Sequence, residues 1–172
     1  MNIPNAVISF EKPEDQSAIE ALTASAFGPG RFTRTAFRLR EDIDSEPDLS
    51  FCCRVEKELV GGVKLTKILI GGNPALLLGP LVVAPEYKNK GVGAALMERA
   101  VTEAKNTDYQ CIILVGDLPY YERFGFSQLR PKQVVMPGPV DPARLLVCMI
   151  ADNGADKVSG VAEKWRETAS LF

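Results

Sequence analysis

Histidine is absent from all 172 residues of the sequence, and this absence excludes several kinds of catalysis. A Ser-His-Asp or Cys-His catalytic system, a histidine-ligated zinc ion and a histidine pH switch all need an imidazole. Any proton transfer in this protein must therefore use Asp, Glu, Tyr, Cys or Lys, the substrate itself, or water.

The sequence also lacks a strong charge excess and long hydrophobic runs. The formal net charge is −2, which gives no overall electrostatic attraction for nucleic acid or for an anionic membrane surface. The longest apolar stretch, residues 75–84, is interrupted by Gly79 and Pro80 and is much shorter than the ~18 residues typical of a membrane span. The first residues show neither the basic nor the apolar region of a signal peptide. We therefore expect a soluble, cytoplasmic protein that binds neither nucleic acid nor membrane.

The composition is that of an ordinary globular domain, with 46% hydrophobic and 24% charged residues. At ~150 residues per domain, the length corresponds to one domain. The four cysteines, Cys52, Cys53, Cys111 and Cys148, lie in apolar runs and have no metal-binding spacing. This placement favours buried free thiols in a reducing compartment over disulfides.

Hydrophobic periodicity predicts a β-loop-α-β unit in the middle of the chain. Residues 76–83 and 111–115 have the continuous apolar character of buried strands. Residues 91–105 between them form the clearest amphipathic helix of the sequence. This order predicts that the two strands are parallel neighbours.

The rest of the pattern predicts one α+β domain with a mixed sheet, spanning residues 1–151. The other predicted elements are a strand at 6–10, helices at 13–27 and 32–41, a hairpin at 49–70 and a strand at 145–150. Residues 152–172 are predicted to be a C-terminal extension, packed on the domain or partly mobile. Within it, residues 163–171 are expected to form a surface helix or an extended segment packed by Trp165 and Phe172.

A glycine turn joins the strand at 76–83 to the amphipathic helix. Its residues are Lys88, Asn89, Lys90, Gly91, Val92, Gly93 and Ala94. Backbone N–H groups at the start of a helix have no partner within the helix and lie at the positive end of its dipole. The glycines let an anion approach these groups, and the lysines add positive charge. The turn therefore predicts a phosphate or pyrophosphate site, and an ordinary tight turn at a helix start is the alternative.

The turn lacks the features of two common nucleotide sites. A Walker A loop requires Gly-x-x-x-x-Gly-Lys-Ser/Thr, which does not occur in the sequence. A Rossmann site requires Gly-x-Gly-x-x-Gly directly after the strand, with an acidic residue about 20 residues further on. Asp117 meets the second condition, but Leu96 occupies the third glycine position and residues 85–90 separate the strand from Gly91. A dinucleotide is therefore the weaker interpretation.

Three segments resemble, in the right order, those of the GNAT superfamily of N-acetyltransferases. Residues 79–87 are similar to the family's strand before the cofactor turn. Lys88-x-x-Gly91-x-Gly93 is similar to its Gln/Arg-x-x-Gly-x-Gly/Ala acetyl-CoA signature. Residues 119–126 are similar to its Tyr-x-x-x-Gly-Phe segment. Residues 10–15 and 26–32 further resemble a bacterial subgroup called YhbS-like. The resemblance implies a three-layer α/β arrangement of the acyl-CoA N-acyltransferase type, with splayed parallel strands in a mixed central sheet and flanking helices.

The resemblance implies an acyltransferase that moves an acetyl group from acetyl-CoA to a primary amine by direct attack in a ternary complex, without a metal ion. It assigns CoA binding to Leu81, Val82 and Val83, to the whole turn at 88–94 and to Tyr121. The Leu81 backbone N–H would bind the acetyl carbonyl, and Tyr121 would be the general acid that protonates the departing thiolate.

The general base and the acceptor are less defined. Some members of the family carry a glutamate near the position of Leu77, but a leucine cannot act as a base. Glu86, Asp117, Glu122 and water remain candidates for the general base, and none of them is assigned. The expected acceptor is a small-molecule or peptide amine, and the expected assembly is a monomer or homodimer. A non-catalytic acyl-CoA-binding or sensor module is the alternative function, and a dinucleotide-binding protein is a weaker one.

An arginine cluster lies outside the cofactor motif. Arg31, Arg34 and Arg38 have the three- and four-residue spacing that places them on one side of the predicted helix at 32–41, and Arg40 follows. The first two helices of the family commonly border the acceptor site, which makes an acceptor with a carboxylate or phosphate one interpretation. A solvated helix face paired with Glu41 and Asp42 is the other.

Overall fold

The computed structural model describes residues 3–44 and 46–167, with only the backbone described for Phe32 and Thr33. The strands are β1 (Ala6–Phe10), β2 (Phe51–Val55), β3 (Glu58–Ile70), β4 (Asn73–Val83), β5 (Cys111–Val115), β6 (Ser127–Gln128), β7 (Val134–Val135), β8 (Leu145–Met149) and β9 (Gly160–Lys164). The helices are α1 (Gln16–Phe27), α2 (Thr35–Arg40), α3 (Val92–Ala104) and α4 (Leu118–Tyr121). Most of the elements predicted from periodicity are therefore present.

The strands form a mixed sheet in the order β1-β2-β3-β4-β5-β8-β6, and β9 lies against β3 and β7. β4 and β5 are parallel, as the β-loop-α-β pattern predicts, because α3 returns the chain to the same end of the sheet. The pairs from β1 to β4, and those of β8 with β5 and β6, are antiparallel. The predicted mixed sheet is confirmed.

Helices cover the two faces of the sheet and make three layers. α3 packs so closely on β3 that a Cβ at Gly61 would lie 3.0 Å from a methyl group of Val92. On the opposite face, Ile19 of α1 lies against Gly62, and Leu39 of α2 is 1% exposed in a second cluster of buried residues. The glycine pair at 61 and 62 therefore brings a helix close to each face of the same strand.

The predicted helix at 32–41 is wrong in its first half. Residues Pro29–Thr33 form a 3-10 turn, Arg34 is extended with ψ of 138°, and the α-helix begins only at Thr35. The Thr35 hydroxyl donates a hydrogen bond to the Pro139 carbonyl at 2.7 Å, a tertiary contact that fixes the start of the helix. Because the helix does not include Arg31 or Arg34, the arginines do not share one face.

The last described residues add to the sheet. β9 pairs with residues 68–70 of β3, and Lys67 lies 5.6 Å from the ring centre of Trp165. An extended segment near Trp165 is therefore observed, whereas Phe172 lies outside the described residues. The division into a domain at 1–151 and an extension at 152–172 stays a prediction.

All four cysteines are free and buried, as their apolar surroundings predict. Burial raises the pKa of the Cys111 thiol to about 12, so this thiol stays protonated at neutral pH. Over residues 3–44 and 46–167, no helix has the length and apolar character needed to cross a membrane.

Candidate active site

The two parallel strands separate on one side of their short pairing. β4 pairs with β5 only at Leu76 and Leu77, opposite residues 112 and 113. Further along β4, residues 81–83 pair with residues 61–63 of β3 on one edge. Their other edge faces the gap between β4 and β5, where backbone N–H and C=O groups can pair with an added extended chain. The predicted splayed strands are confirmed.

A bulge in β4 starts this separation. Val63 pairs with Leu81 and Leu65 pairs with Leu78, so Lys64 alone faces the two residues Gly79 and Pro80. Gly79 has φ of +131°, a conformation that favours glycine, and the Gly79–Pro80 peptide bond is cis. Proline also lacks the N–H that would continue a ladder toward β5.

A cavity of about 740 Å³ opens where the strands separate. α1, the 29–33 turn and α2 form one wall, and the bulge forms the floor. The end of β5, Tyr121 and residues 139–144 complete it. The cavity therefore places an open strand edge, a tyrosine and several charged side chains around one space.

Tyr121 lies in the wall of this cavity, beside Leu81 and Gly116. Its ring meets the Tyr120 ring edge-on at 4.8 Å and the Phe126 ring at 6.0 Å between centres. Burial, followed by the neighbouring Tyr120 and Asp117, raises the pKa of Tyr121 to about 12 against a smaller opposing effect of Arg144. The hydroxyl is therefore protonated across the physiological range and can donate a hydrogen bond or a proton.

Gly116 positions Tyr121 and was not among the residues predicted from the sequence. It is buried directly after β5, and a Cβ there would overlap the Cε2 and Cδ2 edge of the Tyr121 ring. Any side chain at position 116 therefore displaces the ring. The sequence offered one weak signal, a glycine at the end of a buried strand, which is typical of many loops.

Tyr120 has a different environment from Tyr121. Its hydroxyl lies 3.0 Å from the position that a Cβ of Gly93 would take, next to the first turn of α3. Arg123 lies 4.7 Å from the centre of its ring. Tyr120 does not line the cavity. Of the two adjacent tyrosines, Tyr121 therefore lies at the cavity end of the gap and Tyr120 at the end next to α3.

The glycine turn has the geometry of an anion site. Gly91 is the N-cap of α3 with φ of +86°, and Asn89 also has a positive φ of 61°. The first helical bond runs from the Ala95 N–H to the Gly91 carbonyl at 3.0 Å, so the N–H groups of residues 92–94 precede the helical ladder. The turn adjoins the open edge of β4, since a Cβ at Gly93 would lie 3.7 Å from Val83 Cγ2.

The lysines of the turn extend into solvent. Lys88, Asn89 and Lys90 are exposed, and Lys90 lies 5.4 Å from the centre of the Tyr87 ring. No acidic residue occupies the first turn of α3. The electrostatic field at this end of the gap therefore favours an anion.

The four arginines occupy different environments. Arg31 pairs with Glu20 at 2.5 Å, whereas Arg38 lies outside the cavity and donates to the Pro137 carbonyl at 3.1 Å. Arg34 and Arg40 line the cavity. The alternative pairing with Glu41 and Asp42 is also wrong, because Lys164 is the partner of both carboxylates.

The carboxylates considered as bases are poorly placed. Glu86 and Glu122 are exposed and do not line the cavity. Asp117 is in the wall, but it accepts a hydrogen bond from Arg144 at 3.1 Å. Leu77 is fully buried in the sheet. No carboxylate of the described cavity wall is thus free to accept a proton without losing an ion pair or a cap.

The comparisons with known proteins agree with this architecture. A sequence profile described as the Acetyltransferase (GNAT) family matches residues 17–126. The uncharacterized N-acetyltransferase YjhQ of Escherichia coli is 29% identical over 131 residues, which cover 74% of this chain and 72% of YjhQ. The crystal structure of E. coli YhbS in complex with CoA has a TM-score of 0.78 at 22% identity and covers 94% of this chain and 90% of YhbS. A GNAT family acetyltransferase of Brucella melitensis in complex with acetyl-CoA has a TM-score of 0.67 at 24% identity, covering 93% and 96%. These two structures confirm the predicted fold.

Proposed function

Because the chain belongs to the acetyltransferase (GNAT) family, we propose that it transfers an acetyl group from acetyl-CoA to a primary amine held in the cavity between β4 and β5. The observation that carries the proposal is the edge of residues 81–83 that faces the gap, with which no described strand pairs and which runs from the start of α3 to Tyr121. The two ends of this edge carry the groups that a phosphorylated thioester needs. Backbone N–H donors for phosphate lie at the start of α3, and the Tyr121 hydroxyl lies at the other end, where the thioester would be.

CoA would be held by backbone groups along this path. The N–H groups of Val92, Gly93 and Ala94 would bind the pyrophosphate, and Lys88, Asn89 and Lys90 would surround it. The backbone of Leu81 and Val83 would pair with the amides of the pantetheine arm, while Val82 turns its side chain into the core, where it is 3% exposed. The bound thioester supplies an activated acetyl group, with thiolate as the leaving group.

Leu81 and Tyr121 would act at the reacting atoms. The Leu81 N–H would donate to the acetyl carbonyl oxygen as negative charge develops there during attack by the amine. The Tyr121 hydroxyl would donate to the sulfur as the carbon–sulfur bond breaks and the carbon–nitrogen bond forms. Because the pKa of Tyr121 is about 12, a tyrosinate formed by this donation is a strong base. It would take up the proton that the amine nitrogen loses as the amide forms, which restores the phenol.

The missing base predicts the pH dependence of the reaction. An alkyl amine of pKa ~10.4 is mostly protonated at neutral pH, and only its neutral form attacks the thioester. We expect kcat/KM to rise about tenfold per pH unit toward alkaline pH, because no imidazole is available and the wall carboxylates are engaged. Tyr121 adds no falling limb until the pH approaches its pKa of about 12. A plateau already reached near pH 6 would contradict this mechanism.

Gly93→Ala separates cofactor binding from stability. Gly93 lies in the first turn of α3, and alanine has a higher helix propensity than glycine, so the substitution does not disfavour α3 itself. The added methyl group would nevertheless contact Tyr120 and block the approach of a phosphate to the backbone. We expect the Kd for acetyl-CoA, measured by calorimetry, to rise about 10- to 100-fold through weakened charge-assisted hydrogen bonds.

The matched control for Gly93→Ala is acetyl-pantetheine, which lacks the pyrophosphate. Its kcat/KM should be equal for the wild type and the variant, because neither protein can use the turn to bind it. An equal loss with both thioesters would instead mean that the substitution distorts the whole gap.

The proposal is tested by incubating the protein with acetyl-CoA and a broad panel of amines, with product detection by mass spectrometry. Acetylated product confirms a transferase. Acetyl-CoA binding without any product would favour the acyl-CoA sensor, and stabilisation by NAD(P) but not by CoA would favour the dinucleotide interpretation. The proposal includes a small-molecule or peptide acceptor and a monomeric or homodimeric assembly. It also includes a cytoplasmic location, which the four free thiols support because thiols stay reduced there.

A further inference from the structure

The cavity wall carries more positively than negatively charged side chains. Three of its cations have a carboxylate partner: Arg31 with Glu20 at 2.5 Å, Lys64 with Glu11 at 3.0 Å and Arg144 with Asp117 at 3.1 Å. The remaining wall carboxylate, Asp141, accepts from the Ala143 N–H at 2.9 Å. Arg34 and Arg40 are left with no carboxylate within 4.0 Å in the part of the chain that the structure describes.

Arg40 is the more buried of these two arginines. It is the last residue of α2, half-buried, and its Nη1 lies 3.0 Å from the position that a Cβ of Gly79 would occupy. The guanidinium therefore lies directly against the β4 bulge. Arg34 is more exposed, with its guanidinium 4.8 Å from the centre of the Phe27 ring.

The position of Arg40 disfavours its positive charge. Burial, and secondarily the like charge of Arg34, lower the pKa of Arg40 to about 10. A desolvated cation without a counter-ion costs free energy, and groups of this kind cluster at functional sites. An oxyanion between the two guanidiniums would remove that cost, because the planar guanidinium fork matches carboxylate and phosphate geometry.

The phosphates of the cofactor are not this anion. The turn at 88–94, proposed to bind the phosphates, does not line the cavity, whereas Arg40 does. The two therefore lie at different ends of the gap. Arg40 instead lies close to the place proposed for the acetyl group. Gly79 and Leu81 are two residues apart, which corresponds to about 7 Å of strand.

We infer that the acceptor amine carries an oxyanion group, a carboxylate or a phosphate, a few bonds from its nitrogen, and that Arg40 with Arg34 binds this group beside the β4 bulge. This inference rests on the proposed acetyl transfer. It narrows the acceptor to small acidic amines and makes Arg40 a specificity-determining residue.

Matched pairs of amines test the inference. Amino acids of increasing length, from glycine to 4-aminobutyrate, are compared with alkylamines of the same length, and aminoalkyl phosphonates form a third arm. Charge-assisted hydrogen bonds predict a kcat/KM at least about tenfold higher for the acidic member of the preferred pair. The carboxylate and phosphonate arms identify which oxyanion is preferred. Equal kcat/KM within every pair would overturn the inference while leaving acetyl transfer intact.

Two variants of α2 locate the effect. Arg40→Met should abolish the preference for the acidic amine and leave the Kd for acetyl-CoA unchanged. Arg38→Ala, in the same helix but outside the cavity, should retain the preference. Loss of the preference in both variants, or in neither, would contradict a role for Arg40.

The melting temperature provides a readout that a purely structural arginine would move in the opposite direction. Because Arg40 is a desolvated cation with no carboxylate partner among residues 3–44 and 46–167, we expect Arg40→Met to raise the Tm of the protein, measured without added ligand, by about 2 °C or more. A fall in Tm would show that Arg40 stabilises the fold and would count against the inference.

Binding of products decides the case in which no amine of the panel is acetylated. N-acetylglycine and its longer homologues are titrated into the CoA-bound protein, alongside the N-alkylacetamides that lack the carboxylate. We expect the acid to bind at least about tenfold more tightly and to lose this advantage in Arg40→Met. Equal binding, or no binding of either compound, would overturn the inference. Failure of the protein to bind acetyl-CoA would instead overturn the proposed function.

Discussion

Tyr121→Phe is expected to lower kcat by about 10²- to 10⁴-fold, the range of general acid catalysis. The ring and its contacts with Tyr120 and Phe126 remain, so only the hydroxyl in the cavity wall is lost. Without that donor, the thiolate must leave unassisted. Because the loss affects a transition-state interaction, the Kd for acetyl-CoA should stay within a few-fold of the wild-type value.

Tyr120→Phe is the matched control for Tyr121→Phe. It removes the neighbouring hydroxyl, which lies beside Gly93 and outside the cavity. Initial rates of thiol release should therefore keep a kcat close to that of the wild type, with any change confined to acetyl-CoA affinity. The assignment of Tyr121 would be wrong if the two variants lost equal amounts of kcat, or if Tyr121→Phe lost none.

A single methyl group at position 116 is expected to lower kcat by about 100-fold, as a displacement of ~1 Å at a reacting group does. Gly116→Ala places a Cβ within the edge of the Tyr121 ring and 3.0 Å from Cδ1 of Leu114. The ring must therefore shift away from its position in the wall. The same overpacking should lower the stability by about 1–3 kcal/mol, measured by thermal unfolding.

A double-mutant cycle distinguishes a positioning role of Gly116 from general damage. In a Tyr121→Phe background, Gly116→Ala should change kcat little, because the hydroxyl that it misplaces is already absent. Gly30→Ala is the control, since a Cβ at Gly30 meets no described atom beyond its two chain neighbours within 4 Å. Additive losses in the cycle would show that Gly116 acts independently of Tyr121.

The arginines illustrate how far linear spacing can predict a site. Spacing of three and four residues places side chains on one face only if the backbone is helical throughout. Arg34 is extended here, and the contact of Thr35 with Pro139 involves residues 104 apart in the sequence. A local pattern carries no information on such a contact, and for this reason only the folded chain separates Arg40 from Arg31 and Arg38.

Gly116 and the bulge at Gly79 show the same limit at single residues. Their importance comes from what lies next to them: the Tyr121 ring, five residues after Gly116, and the Arg40 guanidinium, 39 residues before Gly79. A glycine in a sequence shows that the backbone can bend or that another group can approach it closely. It does not show which group does so.

By itself, the sequence determined the parallel β-loop-α-β unit and the glycine turn at the start of α3. These features depend on hydrophobic period, glycine and residue order, which are local properties of the chain. The role proposed for Tyr121 came instead from the resemblance of residues 119–126 to the family's segment. The absence of histidine likewise settled which proton carriers are available. Only the tertiary structure decided where β4 leaves β5, which glycine makes room for Tyr121 and which two arginines of the cavity wall have no carboxylate partner among the described residues. Those properties depend on distances between segments that the chain brings together only when it folds.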